Sequence, residues 1–176
     1  MLSVKHKSGV NDCIITHDNE YLITLSRNGE IEKIRIKDGI SMPLDMVHEN
    51  AFQLLLNKEG NKLYSYPLTL RLLEDMDKND LVPLKLWDIN TGKLLDEYQN
   101  PGNDLEISPD GKNILMSNYD LPLHILNAND FSKEFLSLDI PEQSKANYFY
   151  VEVPSQFSAD GKYVVTCKRD KVVVTE

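Results

Sequence analysis

The sequence predicts an all-β chain built from about four antiparallel units of four short strands each. Three observations carry this. One turn-and-strand pattern occurs four times, short apolar runs flank every copy, and no long stretch holds clean helical periodicity. The chain has 176 residues, enough to bury a core without staples, and its 41% hydrophobic and 27% charged content is that of a globular chain.

The repeated segments are Thr16 to Leu22 (THDNEYL), Asn57 to Leu63 (NKEGNKL), Ser108 to Ile114 (SPDGKNI) and Ser158 to Val164 (SADGKYV). Aligning Asn19, Gly60, Gly111 and Gly161 gives spacings of 41, 51 and 50 residues. A tight hairpin needs a positive φ, which Asp-Gly and Asn tolerate. Ahead of the turns lie the runs Cys13 to Ile15, Phe52 to Leu56, Leu105 to Ile107 and Ser155 to Phe157. Behind them come Tyr21 to Leu25, Lys62 to Tyr66, Asn113 to Met116 and Tyr163 to Cys167. A second turn follows in each unit: Arg27 to Gly29, the long Glu74 to Asp80, Asn118 to Asp120, and Lys168 to Asp170. Third runs follow at Ile31 to Ile36, Leu84 to Ile89, Leu121 to Leu126 and Lys171 to Thr175, with room for a further outer strand in each unit. The best helix candidate is Leu68 to Met76. Repeats of about 40 to 50 residues point to the blades of a β-propeller, or an arc of one. The expected organisation is a single domain, 1–176, with units near 10–46, 47–99, 100–145 and 146–176 and an insertion at 69–82.

Leu84 to Leu94 (LKLWDINTGKL) closely resembles the last strand of a WD40 repeat, with Trp87-Asp88 as the signature dipeptide and Gly92 ending the strand. Ile107 to Lys112 resembles that family's next first strand and hairpin. The resemblance covers nearly the whole chain and is strong between about 84 and 116. It implies a propeller, and a hydrogen-bonded structural set of His48, Ser65, Asp80 and Trp87. There are departures. Trp-Asp occurs once, with Ile34-Arg35 and Leu126-Asn127 in its place elsewhere, and the fourth unit reaches Glu176 where the dipeptide is expected to begin. Val47 precedes His48 where the family has Gly. Asp80 stands seven residues before Trp87, one more than usual. TolB-like propellers and peptidase lids also carry Ser-Pro-Asp-Gly-Lys turns. The Trp-Asp strand favours the WD40 type. Met1 to Lys7 could supply a closing strand beside Val172 to Val174.

The residues offer little chemistry. Acidic residues number 28 and basic ones 19, a net charge of −9 that disfavours nucleic acid and anionic membrane surfaces. Cys13 and Cys167 form no metal-like pair and read as free, buried thiols of a reducing, cytoplasmic compartment. No signal peptide or membrane span is visible. His48-Glu49 opens like a zincin helix, but Phe52 stands where the second His belongs. Asp75 to Asp80 opens like a calcium loop, but Asp80 and Leu86 replace the required Gly and Glu. No nucleophile elbow, P-loop or dinucleotide motif occurs. The expectation is a non-enzymatic chain with no metal and no cofactor.

Two segments read as partner contacts. The insertion carries Leu70, Arg71, Leu72 and Leu73 beside an acidic tip, and Tyr148, Phe149 and Tyr150 precede the last unit. The expected function is a protein-interaction scaffold with a protein partner, and a homodimer if the blades form an open arc. The alternatives are a propeller acting as lid or ligand sensor for an enzyme or transport system, or a fragment that needs a partner to close.

Overall fold

A computed structural model describes residues 3–67, 82–99, 104–117, 123–132, 155–168 and 171–175. These form fourteen strands and no helix: β1 Val10–Ile15, β2 Tyr21–Ser26, β3 Glu30–Arg35, β4 Ser41–Val47, β5 Gln53–Leu56, β6 Lys62–Tyr66, β7 Leu84–Asp88, β8 Leu94–Tyr98, β9 Asp104–Ile107, β10 Asn113–Ser117, β11 His124–Asn127, β12 Ser155–Phe157, β13 Val164–Lys168 and β14 Lys171–Thr175. They pair as four antiparallel meanders, β1-β2-β3-β4, β5-β6-β7-β8, β9-β10-β11 and β12-β13-β14. The first two sheets have four strands. Among the described residues the last two have three, one fewer than the repeat predicts. Two compact units divide the chain, with β1 to β8 in one and β9 to β14 in the other.

The repeated turns share one hydrogen-bond circuit. In the third, the Gly111 amide donates to the Ser108 carbonyl (2.8 Å), the Ser108 hydroxyl donates to Asp110 Oδ1 (2.7 Å), and the Lys112 amide donates to the same oxygen (3.0 Å). The Asn113 amide closes the loop on Ser108 Oγ at 2.9 Å. Thr16 and Asp18 repeat this in the first turn, and Ser158 and Asp160 in the fourth. In the second, Asn57 Oδ1 takes the Asn61 and Lys62 amides, and Asn57 Nδ2 donates to Glu59. The aligned positions Asn19, Gly60, Gly111 and Gly161 have φ of 59°, 70°, 79° and 72°. The turn chemistry therefore sets the pairing that follows.

That register is common to the sheets. Leu22 faces Ile34, Leu63 faces Trp87 and Ile114 faces Leu126. In the last sheet Val164 faces Thr175, so Thr175 takes the place of Trp87, one residue earlier than the spacing suggests. The second strands β2, β6 and β10 are buried over their last four residues, which suits their unbroken apolar and small-hydroxyl runs. Outer strand β8 is exposed or half-buried throughout. Ile23, Leu25 and Ile31 of the first sheet pack with Leu54, Leu63 and Trp87 of the second in one core. In the second unit Leu115, Leu123 and Val164 pack together, with Ile125 and Phe157 against them. Each fully buried Leu of this kind contributes about 1.5–3 kcal/mol.

Carboxylates tie the first strands of successive sheets together. Asp12 on β1 accepts the Leu54 amide of β5 (2.8 Å), and Glu106 on β9 accepts the Phe157 amide of β12 (2.8 Å). Two expectations are corrected. Cys13 is exposed, because alternation along β1 turns Ile14 toward the core and Cys13 away from it. Residues 3–7 form no strand, and the chain entering β1 is instead held by the Arg27 amide on the Gly9 carbonyl at 2.7 Å. The helix candidate at 68–76 lies outside the described residues.

Candidate functional site

Three residues of the buried polar set that the WD40 resemblance implies come together around β6. Ser65 Oγ is fully enclosed, accepts the Trp87 indole N–H at 2.8 Å and lies 2.6 Å from His48 Nδ1. Trp87 comes from neighbouring β7. His48 follows β4 and is fixed by its backbone: its amide donates to the Gly29 carbonyl at 2.8 Å, and its carbonyl accepts the Ala51 amide at 3.2 Å. Gly29, at φ 84°, must be glycine, because a Cβ would stand 2.8 Å from the backbone of His48 and Glu49.

Burial pushes the His48 imidazole down to about 4, with the Lys85 charge as a lesser cause, so the ring is neutral at neutral pH. The Lys85 ammonium lies 5.6 Å from the Trp87 ring centroid. His48 Nε2 is buried and has no hydrogen-bond partner among the described residues. Asp80, the expected fourth member, lies outside them. A serine and a histidine this close resemble a nucleophile and its base. Ser65 is closed to solvent and already holds the indole, so it acts as a hub joining β6, β7 and the loop before β5.

The sheets differ at this position. Thr24 occupies it in the first and Thr166 in the fourth, each with a buried hydroxyl that has no partner among the described residues, and Met116 occupies it in the third. Asp88, the other half of the dipeptide, works at the surface. Its Oδ1 accepts the Asn90 amide, the Thr91 amide and the Thr91 hydroxyl, which holds its carboxyl below the usual range. Asn127 does the same in the third sheet, accepting the Asn129 amide at 2.8 Å.

The proposed partner contacts Leu70, Arg71, Leu72, Leu73, Tyr148, Phe149 and Tyr150 lie outside the described residues, as does the calcium-like stretch 75–80. The described surface has its own apolar features. Val172, Val173 and Val174 on β14 are 65%, 40% and 59% exposed, and Leu94 and Leu95 of β8 are also exposed. The valine run is visible in the sequence, but only its strand's place in the sheet reveals its exposure. Sequence reading also misses Lys33, a buried lysine on β3 whose burial depends on the second sheet. Among the described residues no three His, Cys, Asp or Glu side chains cluster to hold a metal ion, and no helix is long and apolar enough to cross a membrane.

No family model matches the chain, and no curated protein matches it. Among solved structures it is similar to the crystal structure of the computationally designed Ika4 protein, with a TM-score of 0.59 and 16% identity over 97% of this chain and 92% of that one. The likeness is one of fold.

Proposed function

We propose that the chain is a WD40-like β-propeller, or an arc of one, that serves as a non-enzymatic scaffold for a protein partner. Four in-register meanders, each opened by the same turn, support the propeller reading. The Ser65 hub with Trp87 and His48 supports the WD40 type. The observation that carries the scaffold reading is the exposure of the β14 valines, with Val172 and Val174 on one face of the strand and Val173 on the other. Exposed apolar side chains of this kind favour protein contact.

Affinity capture with two baits tests this: the wild-type chain and the Val172→Lys/Val174→Lys double variant. Lysine on a strand opposes edge pairing without removing the strand. A discrete protein retained by the wild type and lost from the variant, with unchanged circular dichroism, is expected. Turnover of a small substrate by the purified chain, with no protein retained by either bait, overturns it. Light scattering separates the two architectures: a monomer supports a closed ring, and a discrete dimer supports two arcs completing one.

A further inference from the structure

Between the first two sheets, at the end that carries their tight turns, lies a polar cleft of about 460 Å3. Asp18 and Tyr21 of the first sheet, Lys33 of β3, Glu59 and Gly60 of the β5–β6 turn, and Asn90 beyond β7 line it. Gly60 has φ +70°, and a Cβ there would stand 3.2 Å from His17 Nδ1, so no side chain fills that part of the cleft.

Lys33 is the unexpected member. It precedes Ile34, as Leu86 precedes Trp87 and Ile125 precedes Leu126. Leu86 is fully buried and Ile125 is partly buried, so the fold accepts an apolar side chain at this position. Lys33 is only 9% exposed. Its ammonium has long hydrogen bonds to the Ile89 carbonyl (3.4 Å) and Asn90 Oδ1 (3.3 Å), and lies 4.4 Å from the Tyr21 ring centroid. Among the described residues no carboxylate comes within 4 Å of it. The Asp18 and Asp88 carboxylates feel its charge only from beyond ion-pair distance, and a cation withdrawn from water with no counter-ion in contact is costly.

The carboxylates of the cleft restrict what can supply that counter-ion. One oxygen of Asp18 accepts the Thr16 hydroxyl and the Glu20 amide, and one oxygen of Glu59 accepts the Asn57 side-chain amide. The other oxygen of each makes no hydrogen bond among the described residues. A simple anion meets Lys33 but is repelled by two carboxylates. A simple cation meets the carboxylates but is repelled by the ammonium. A ligand carrying both charges satisfies every group. We propose that this cleft binds a small zwitterion, its carboxylate on Lys33 and its cationic end on Asp18 and Glu59. The proposal is independent of the scaffold reading.

Amide NMR of the full chain tests it, with glycine and β-alanine as probes and acetate and ethylammonium as half-ligands. A zwitterion is expected to shift the Gly60 and Asn90 amides saturably, at least about tenfold more tightly than either half-ligand. Lys33→Met and Glu59→Gln are each expected to weaken it by about tenfold. No saturable shift with either zwitterion overturns the proposal, and so does acetate binding as tightly as glycine. Unchanged affinity in a folded Lys33→Met chain does the same. Where that variant does not fold, unchanged affinity in Glu59→Gln is decisive.

Discussion

Replacing Ser65 with alanine tests the hub directly. The substitution removes one oxygen from a site with no solvent access and strands two polar groups, the Trp87 N–H and His48 Nδ1. Each buried group left unpaired costs about 1–3 kcal/mol, so the expected loss is about 2–6 kcal/mol. For a chain of this size that lowers Tm by roughly 4–24 °C. Trp87 is the single tryptophan, so its fluorescence reports unfolding at the hub itself, and far-UV circular dichroism reports the sheets. Trp87→Phe removes the donor while keeping an aromatic ring. In that background Ser65→Ala is expected to cost less, with a coupling of about 0.5–3 kcal/mol. A Ser65→Ala loss below about 0.5 kcal/mol, the range of an ordinary surface change, refutes the reasoning.

His48 titrates near 4 when folded and near 6.5 when unfolded, so protonation favours the unfolded chain. Stability is therefore expected to fall as pH drops from about 6.5 toward 4, and denaturant midpoints of His48→Gln are expected to lack that slope; parallel curves refute it. At the turns the sign is the same but the window lies lower. Hydrogen bonds from the Ser108 hydroxyl and then the Lys112 amide hold Asp110 down to about 2, and Asp110→Asn is expected to flatten the loss of stability only below about pH 3.8. Gly29→Ala adds a backbone clash to an unfavourable φ, whereas a Cβ on Gly161 would meet only Pro109 at 3.7 Å. The former is expected to be worse by at least about 1 kcal/mol in urea unfolding, and equal losses refute the clash. Asp88→Asn keeps the accepting oxygen, as Asn127 does naturally, and is expected to unfold at a higher temperature than Asp88→Ala.

The turns are legible because their chemistry is local. Ser108, Asp110 and Gly111 make their hydrogen bonds within six residues of chain, and the positive φ falls where Asn or Gly stands. Strand register follows, because period-two alternation allows few pairings once the turn is placed. Ser65 and Trp87 are legible through the resemblance of one strand. Cys13 is not, since either face of β1 accepts a small thiol until Ile14 finds its core. Nor is Lys33, whose partners Ile89 and Asn90 stand 56 and 57 residues away.

Local chemistry thus specifies an all-β chain of four repeated hairpin units, because hydrogen bonds spanning a few residues depend on nothing beyond those residues. Tertiary packing decides which hydroxyl at the shared position is satisfied. Ser65 meets an indole and an imidazole, whereas Thr24 and Thr166 meet no partner among the described residues. It also decides that Lys33 is buried while the valines of β14 face solvent. Burial is a property of the neighbouring sheet, and a strand's own residues do not record which sheet lies beside it.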